Sequence, residues 1–140
     1  KNQSAVTKDL AELNRRSLYM FARRNARHPI FDLFDRPDAL TSCARRENST
    51  TAPQALLLLN SPFARQMADE LAGEGPAEGE LERWAGEVFM RCLSRGISDA
   101  ELEAARAFFA AQSEAGVRMR EAAGDFCLSL LNANEFVWVD

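Results

Sequence analysis

The chain has 140 residues, of which 46% are hydrophobic and 27% charged, as in an ordinary globular domain and unlike disordered, collagen-like or low-complexity chains. No apolar run approaches the roughly 18 residues of a membrane span, and the first four residues contain no signal-peptide core. The net charge of −4 is unevenly divided, because residues 1–46 carry ten Lys or Arg and five Asp or Glu, whereas residues 47–140 carry seven and sixteen.

Residues 1–51 are predicted to form a basic helix and loop region. A short helix is expected over residues 1–13. The apolar run 17–22 follows between arginine pairs, and its periodicity does not separate a buried helix from a buried strand. Asn14 as a cap and the absence of β-branched residues favour a helix.

Residues 25–51 contain Pro29, Pro37 and scattered small polar residues, which predicts a long polar loop with one helical turn near residues 30–34. A loop of this length inside a compact domain is usually functional or held by polar contacts.

Residues 52–140 are predicted to form an acidic helical body. Residues 51–54 have the form of a capping box with proline in the first turn, and residues 55–59 are apolar all round, which predicts a central, buried helix. Residues 60–62 should interrupt that helix and restart it with Ser61 as the cap. The linker 73–76 should stop the second helix and be polar and mobile.

Three further helices follow from apolar stripes at helical spacing. The first covers residues 81–93, with Gly96 expected to end it, and the second starts at a Ser98–Glu101 capping box. The second should break near residues 113–116. The stripes are formed by Leu81, Trp84, Ala85, Val88, Phe89, Cys92 and Leu93, by Leu102, Ala105, Phe108 and Phe109, and by Ala123, Phe126, Cys127, Leu130 and Leu131.

The fold class predicted from these elements is all-α, an irregular bundle of four to six helices. The long polar loop lies near residues 25–51. Residues 132–134 should end the last helix, and residues 136–139 should form a short extended C-terminal tail. Residues 1–140 are expected to form a single domain.

The three cysteines, Cys43, Cys92 and Cys127, show no CxxC or CxxCH spacing, so the sequence predicts neither a zinc knuckle nor covalent haem attachment in this chain. Cys92 is expected to pack as a small apolar side chain. For Cys43, a free thiol and a disulfide to Cys127 are both open.

The densest polar segment supplies the candidate binding residues. Two of its carboxylates flank Pro37, so either they cap turns through the backbone or they bind a ligand, but their spacing does not match a calcium loop and no metal is predicted. His28 is either a loop residue or a base beside Cys43. The candidate binding residues are Asp35, Asp38, Cys43, Arg45, Arg46, Thr50 and Thr51.

Eight arginines in the first 46 residues form either an anion-binding patch or a set of charges that pairs with acidic groups of this chain or of an adjoining domain. Nucleic acid is not an expected partner, since the whole chain is acidic and the aromatic residues beside the arginines lie within an apolar run. The eight arginines are Arg15, Arg16, Arg23, Arg24, Arg27, Arg36, Arg45 and Arg46.

Four sequence blocks together resemble the C-terminal part of a planctomycete-specific domain of unknown function, found in large secreted proteins that often carry a cytochrome-c-like domain. Family members usually have Arg-Glu-Pro-Thr at residues 95–98, where this chain has Arg-Gly-Ile-Ser, and often His in place of Leu128. The blocks are RRSLYMFARRN (15–25), FDRPDALTSCARRENSTTAPQALLLLN (34–60), LSRGISDAE (93–101) and DFCLSLLNANEFVWVD (125–140).

The resemblance implies that the chain is a C-terminal piece of a larger exported protein in the periplasm or cell envelope, whose haem c would lie in another part of that protein. The charge split, the apolar helix stripes and the lack of a catalytic set favour a structural or interaction module. Its expected partners are the N-terminal half of its own domain and, further, polysaccharide or other envelope proteins. The alternative is part of an envelope enzyme domain, for polysaccharide breakdown or a redox-linked step, with its site near residues 28–51.

Overall fold

The computed structural model describes residues 33–34 and 52–137 of the chain. The described residues are mostly helical and contain no strand, which confirms the all-α class. The predicted helices before residue 25 and most of the predicted loop 25–51 lie outside them. The described helices are α1 (Ala52–Asn60), α2 (Pro62–Ala72), α3 (Leu81–Leu93), α4 (Asp99–Glu114), α5 (Met119–Leu131) and α6 (Asn134–Val137).

The chain divides into two units, residues 1–54 and residues 55–140. In the first unit, the buried Gln54 donates a hydrogen bond from Nε2 to the carbonyl oxygen of Leu33. Helix α1 begins at Ala52 with Pro53 in its first turn, as predicted, where the fixed φ of proline suits a helix start. Thr51, the cap of the predicted capping box, lies outside the described residues.

The prediction that residues 55–59 are buried is wrong. Leu56 and Leu59 are 57% and 51% exposed, while Leu57 and Leu58 are half-buried. Within the second unit, Asn132 Nδ2 lies 3.5 Å from the carbonyl oxygen of Leu58, at the end of α5. An all-apolar helix has no polar side to mark its solvent face, so the sequence does not say which leucines meet a neighbour.

Helix α2 starts and stops where the sequence predicts. Ser61 is extended (φ −73°, ψ 139°), and its hydroxyl accepts a 3.0 Å hydrogen bond from the Ala64 N–H, so the chain restarts after α1 with a capped N-terminus. Gly73 ends the helix at φ +61° and donates its N–H to the Asp69 carbonyl oxygen at 3.1 Å.

The connection after α2 is packed, which the prediction of a mobile polar linker missed. Pro76 is buried. Gly75 has φ +84°, and a Cβ at this position would lie 3.0 Å from the Cβ of Ala123 and 3.4 Å from Cγ of Met119, both on α5. The glycine therefore meets two requirements, a left-handed backbone and a close approach to α5.

Helices α3 and α4 confirm the predicted stripes, whose residues are buried or half-buried in the core. The end of α3 differs from the prediction, because Ser94 takes the left-handed conformation (φ 56°, ψ 25°) expected of Gly96 and donates its N–H to Met90. The helix therefore ends at Leu93. The Ser98–Glu101 capping box is present, and α4 ends at Glu114, inside the predicted break at residues 113–116.

The core has an alanine side and an aromatic side. Helices α2 and α5 meet through small residues, a contact called here the α2–α5 seam. On the aromatic side, the ring centroid of Phe126 lies 5.7 Å from Trp84 and 5.6 Å from Phe109, which supports Trp84 as a core residue. The buried small residues of α2 and α5 are Ala64, Ala68, Ala72, Ala122, Ala123 and Gly124.

Helix α5 ends at Leu131, capped by Asn132, as predicted. The extended tail is wrong for Phe136 and Val137, which lie in α6 and donate their N–H groups to the Ala133 carbonyl oxygen at 3.0 and 3.1 Å. A run of aromatic and β-branched residues favours a strand. Here no neighbouring strand exists among the described residues, and local helical hydrogen bonds satisfy the backbone. Residues 138–140 lie outside the described residues.

Two glycine substitutions separate backbone strain from packing at the connection between α2 and α3. Gly75 and Gly79 both have positive φ, but a Cβ at Gly79 would meet nothing within 4 Å. We expect Gly79→Ala to lower the free energy of unfolding by about 1–2 kcal/mol and Gly75→Ala by about 2–4 kcal/mol, because only the latter also crowds α5. Urea unfolding measures both, and equal losses would show that Gly75 does not touch α5 in solution.

Candidate functional site

The residues predicted as a binding site from the sequence lie outside the described residues, as does His28. That prediction therefore stays untested. The polar clusters that the structure does describe belong to the second unit and lie at other positions. The sequence-predicted residues concerned are Asp35, Asp38, Cys43, Arg45, Arg46, Thr50 and Thr51.

The first cluster surrounds Arg95, in the turn between α3 and α4, and is called the Arg95 cluster (Arg95, Ser98, Glu101 and Glu135). The guanidinium donates from Nη2 to Glu101 Oε1 at 2.7 Å and from Nη1 to Glu101 Oε2 at 2.9 Å. It also donates from Nε and Nη2 to the two carboxylate oxygens of Glu135, at 2.6 and 2.8 Å. Its Cζ lies 5.4 Å from the ring centroid of Phe89.

Residues close together in the sequence position Glu101 and Arg95, two members of this cluster. Glu101 belongs to the capping box of α4, where it accepts hydrogen bonds from the backbone N–H and the hydroxyl of Ser98 at 2.9 and 2.7 Å. The left-handed turn at Ser94 brings Arg95 alongside. Glu135, which is 40 residues away in the chain, then binds from α6.

The charge of Arg95 and the charges of Glu101 and Glu135 stabilise one another. The side-chain hydrogen bond from Arg95, with those from Ser98, lowers the pKa of Glu101 from 4.5 to about 2. The hydrogen bond from Arg95 also lowers the pKa of Glu135, and the two carboxylates raise the pKa of Arg95, Glu135 most of all. Carboxylates held ionised at neutral pH do not serve as general acids, so this cluster is suited to binding and positioning rather than proton transfer.

The second cluster lies at the edge of the α2–α5 seam and consists of Arg65, Asp69 and Asp125. Arg65 Nη1 donates to Asp125 Oδ1 at 2.5 Å, and Arg65 Nε lies 3.0 Å from Asp69 Oδ1. The hydrogen bond to Asp125 is the main cause of the raised pKa of Arg65. A Cβ on Gly124 would overlap the Asp69 carboxylate and lie 3.1 Å from Arg65 Nη2, so the glycine leaves room for this pair.

An open groove of about 490 Å³ continues from the Arg65 cluster. Its carboxylates have partners within the groove: Gln66 donates to Glu70 at 2.9 Å, and Arg120 lies 3.2 Å from Glu74. A ligand would have to compete with these pairs. The groove is lined by Pro62, Arg65, Gln66, Asp69, Glu70, Gly73, Glu74 and Arg120.

The two cysteines of the second unit are free thiols. Burial raises the pKa of Cys127 to about 12, and desolvation also raises the pKa of the half-buried Cys92, so neither is a thiolate nucleophile at neutral pH. Cys92 packs against the core, as predicted. Cys127 is unpaired in the structure, and Cys43, the partner in the disulfide alternative, lies outside the described residues.

Residues 33–34 and 52–137 bring together no group of three or more His, Cys, Asp or Glu side chains that could hold a metal ion. Within the same part of the chain, no helix combines the length and the apolar character needed to cross a membrane.

Residues 1–109 match the model of a protein family, PSD1, described as a protein of unknown function (DUF1553). The chain belongs to the PSD1 family. This confirms the resemblance to a domain of unknown function, while the planctomycete and cytochrome context is not part of the match. No curated protein and no solved structure matches the chain.

The residues matched by the PSD1 family model end before the helical body does. The match ends at Phe109, within α4, whereas α5 begins at Met119 and supplies half of the α2–α5 seam. Glu135 and Asp125, which complete the two charged clusters, also lie beyond the match. Neither cluster is predicted from the sequence. The capping box and the adjacent Arg95 were a usable signal for one of them, but spacing along the chain gives no sign of partners 40 or 60 residues away.

The lowered pKa of Glu101 predicts an acid-dependent loss of stability in this PSD1 chain. Because the folded-state pKa of about 2 lies below the ordinary 4.5, the contribution is fully present above about pH 4.5 and is lost as the pH falls toward 2. We expect Glu101→Gln to lower Tm at neutral pH and to flatten the fall of Tm below pH 4.5. Glu103→Gln, in a surface pair with Arg106, is the control. The same acid slope in native chain and Glu101→Gln would contradict the assignment.

Alanine substitutions at two helix glycines, Gly86 and Gly124, test the close contact between Gly124 and the Arg65 cluster. A Cβ at Gly86 in α3 would meet nothing within 4 Å, so Gly86→Ala should raise the free energy of unfolding by about 0.5–1 kcal/mol. We expect no gain from Gly124→Ala, because its methyl group displaces the Asp69 carboxylate from Arg65. In an Asp69→Ala background the gain at Gly124 should return. Urea unfolding measures each variant, and equal gains in both glycine variants would refute the close contact.

Proposed function

We propose that this PSD1 chain is a structural and interaction module of a larger exported, cytochrome-c-associated protein. The family match carries no activity, so the proposal depends on what the described surfaces are suited to do. The single observation that carries it is the exposure of α1, a helix whose composition is that of a buried element.

Helix α1 has no charged residue, and a helix that is hydrophobic all round is normally covered on every side. Two of its four leucines, Leu56 and Leu59, are exposed by more than half and are here called the leucine face. Phe63, in the first turn of α2, is 45% exposed. Single exposed apolar residues are common, but an uncharged helix that presents leucines to solvent supports contact with a partner.

The charged clusters support the same role. Arg65 joins α2 to α5, and Arg95 joins the start of α4 to α6. Each guanidinium is held by two carboxylates, an arrangement that fixes helices relative to one another. The thiols of the half-buried Cys92 and the buried Cys127, whose pKa values desolvation raises, contribute packing.

The proposed partner at the leucine face is the N-terminal half of the same domain. The cell-envelope location, the haem c of the larger protein, and polysaccharide or other envelope proteins as further partners are proposed from the sequence resemblance. The alternative function is part of an envelope enzyme domain, with its site near residues 28–51.

Binding between separately produced parts of the larger protein tests the module. The adjoining N-terminal region is titrated into this chain by calorimetry, with native chain, Leu56→Asp/Leu59→Asp and Met90→Asp compared. Met90 is 55% exposed on α3 and is the matched control. We expect the double variant to lose at least tenfold in affinity, or about 1.4 kcal/mol, because two charges would be desolvated at the contact. The control should bind as the native chain does.

Equal binding by all three chains, or no binding at all, would contradict the module. Circular dichroism of each variant checks that the helices remain folded. The enzyme alternative makes an opposite prediction, since loss of a catalytic turnover of the larger protein on Asp35→Ala or Arg45→Ala would favour it.

A further inference from the structure

Helix α6 is held to the body by few contacts. It is one turn long, it contains no buried residue, and Phe136 is 42% exposed. It touches α3 and α5, and among the described residues its side-chain hydrogen bonds to the body are the two that Arg95 donates to Glu135. A single turn is unstable by itself, so α6 depends on its contacts with the body, and this ion pair is the charged contact among them.

The contacts that orient Arg95, which binds Glu135, do not depend on α6. Arg95 is held by two hydrogen bonds to Glu101, one to the Gly96 carbonyl oxygen and the ring of Phe89 below it. Glu101 is itself fixed by the capping box. When α6 leaves, Arg95 therefore keeps a carboxylate partner and its orientation, and the two donors that faced Glu135 turn to solvent.

We propose that α6 is a reversible strap whose closed state fills a preformed carboxylate site at Arg95 with Glu135, and whose open state offers that site to an acidic side chain of a partner. The site consists of the Arg95 guanidinium, Glu101 and Phe89. A guanidinium presents parallel N–H donors that match the two oxygens of a carboxylate, which sets the chemistry of the partner. The inference goes beyond the proposed function, because it concerns a different surface from the leucine face.

Detachment of α6 costs little free energy because it leaves no buried charge unpaired. Arg95 and Glu135 are 38% and 48% exposed at their side chains, so water solvates both after separation. An exposed pair of this kind is weakened by salt. The strap should therefore open more often as ionic strength rises, while the α2–α5 seam does not respond.

Hydrogen exchange of the full chain tests the opening. We expect the amide hydrogens of Phe136 and Val137 to exchange about two- to fivefold faster in Glu135→Gln than in the native chain, and equally fast at low and high salt. In the native chain, their exchange should accelerate with salt. Glu80→Gln, which breaks an exposed pair with Arg83 on α3, is the control and should leave these amides unchanged. Native rates in Glu135→Gln would overturn the strap.

Acetate tests the site that the strap covers. In Glu135→Gln, the NMR signal of the Arg95 Nε–H should shift saturably with acetate and not with chloride at the same ionic strength. The native chain should respond less, because Glu135 occupies the site. The Nε–H of Arg83, 70% exposed, reports non-specific binding. If Arg95 responds no more than Arg83, the carboxylate site is refuted, whatever the outcome at the leucine face.

Discussion

Alanine and glycine side chains bring α2 and α5 into the most extensive helix contact of the described residues. Ala68, Ala72 and Ala123 are almost fully inaccessible, and Gly75 approaches α5 from the connection that follows α2. Because this contact sets the position of α5, it also sets the position of Phe126 on the opposite side, where the aromatic rings of α3 and α4 gather. The positions of the other helices of the second unit therefore depend on the α2–α5 seam.

The charged clusters depend on that geometry. Arg65 reaches Asp125 across the seam, while the missing side chain of Gly124 leaves room for Asp69 beside Arg65. Arg95 meets Glu135 because α6 directly follows α5. Both arginines join segments far apart in the chain. The two arginine clusters consequently join helices of the second unit. The PSD1 family match covers residues 1–109 and stops before α5, so it does not include all of the core.

The sequence predicted those features that are encoded locally. The Ser61 restart, the Ser98–Glu101 capping box and the stripe of α3 follow from neighbouring residues, and the structure has all three. It failed where the decisive neighbour is distant. The packing of Gly75 against α5 and the charged clusters are two such cases. The predictions at Leu56 and Phe136 failed for another reason, since among the described residues Leu56 is left exposed and no strand pairs with Phe136. The candidate binding residues of the basic region lie outside the described residues and stay a prediction.

The alanine seam has a thermodynamic character that a leucine-lined contact lacks. Alanine and glycine have no side-chain rotamers to lose, so ordering the contact costs backbone conformational entropy alone. They also remove little apolar area from water, which leaves dispersion between closely spaced atoms as a larger share of the attraction. Dispersion falls steeply with distance. The contact between α2 and α5 therefore costs little side-chain entropy to order, but it tolerates little separation of the two helices.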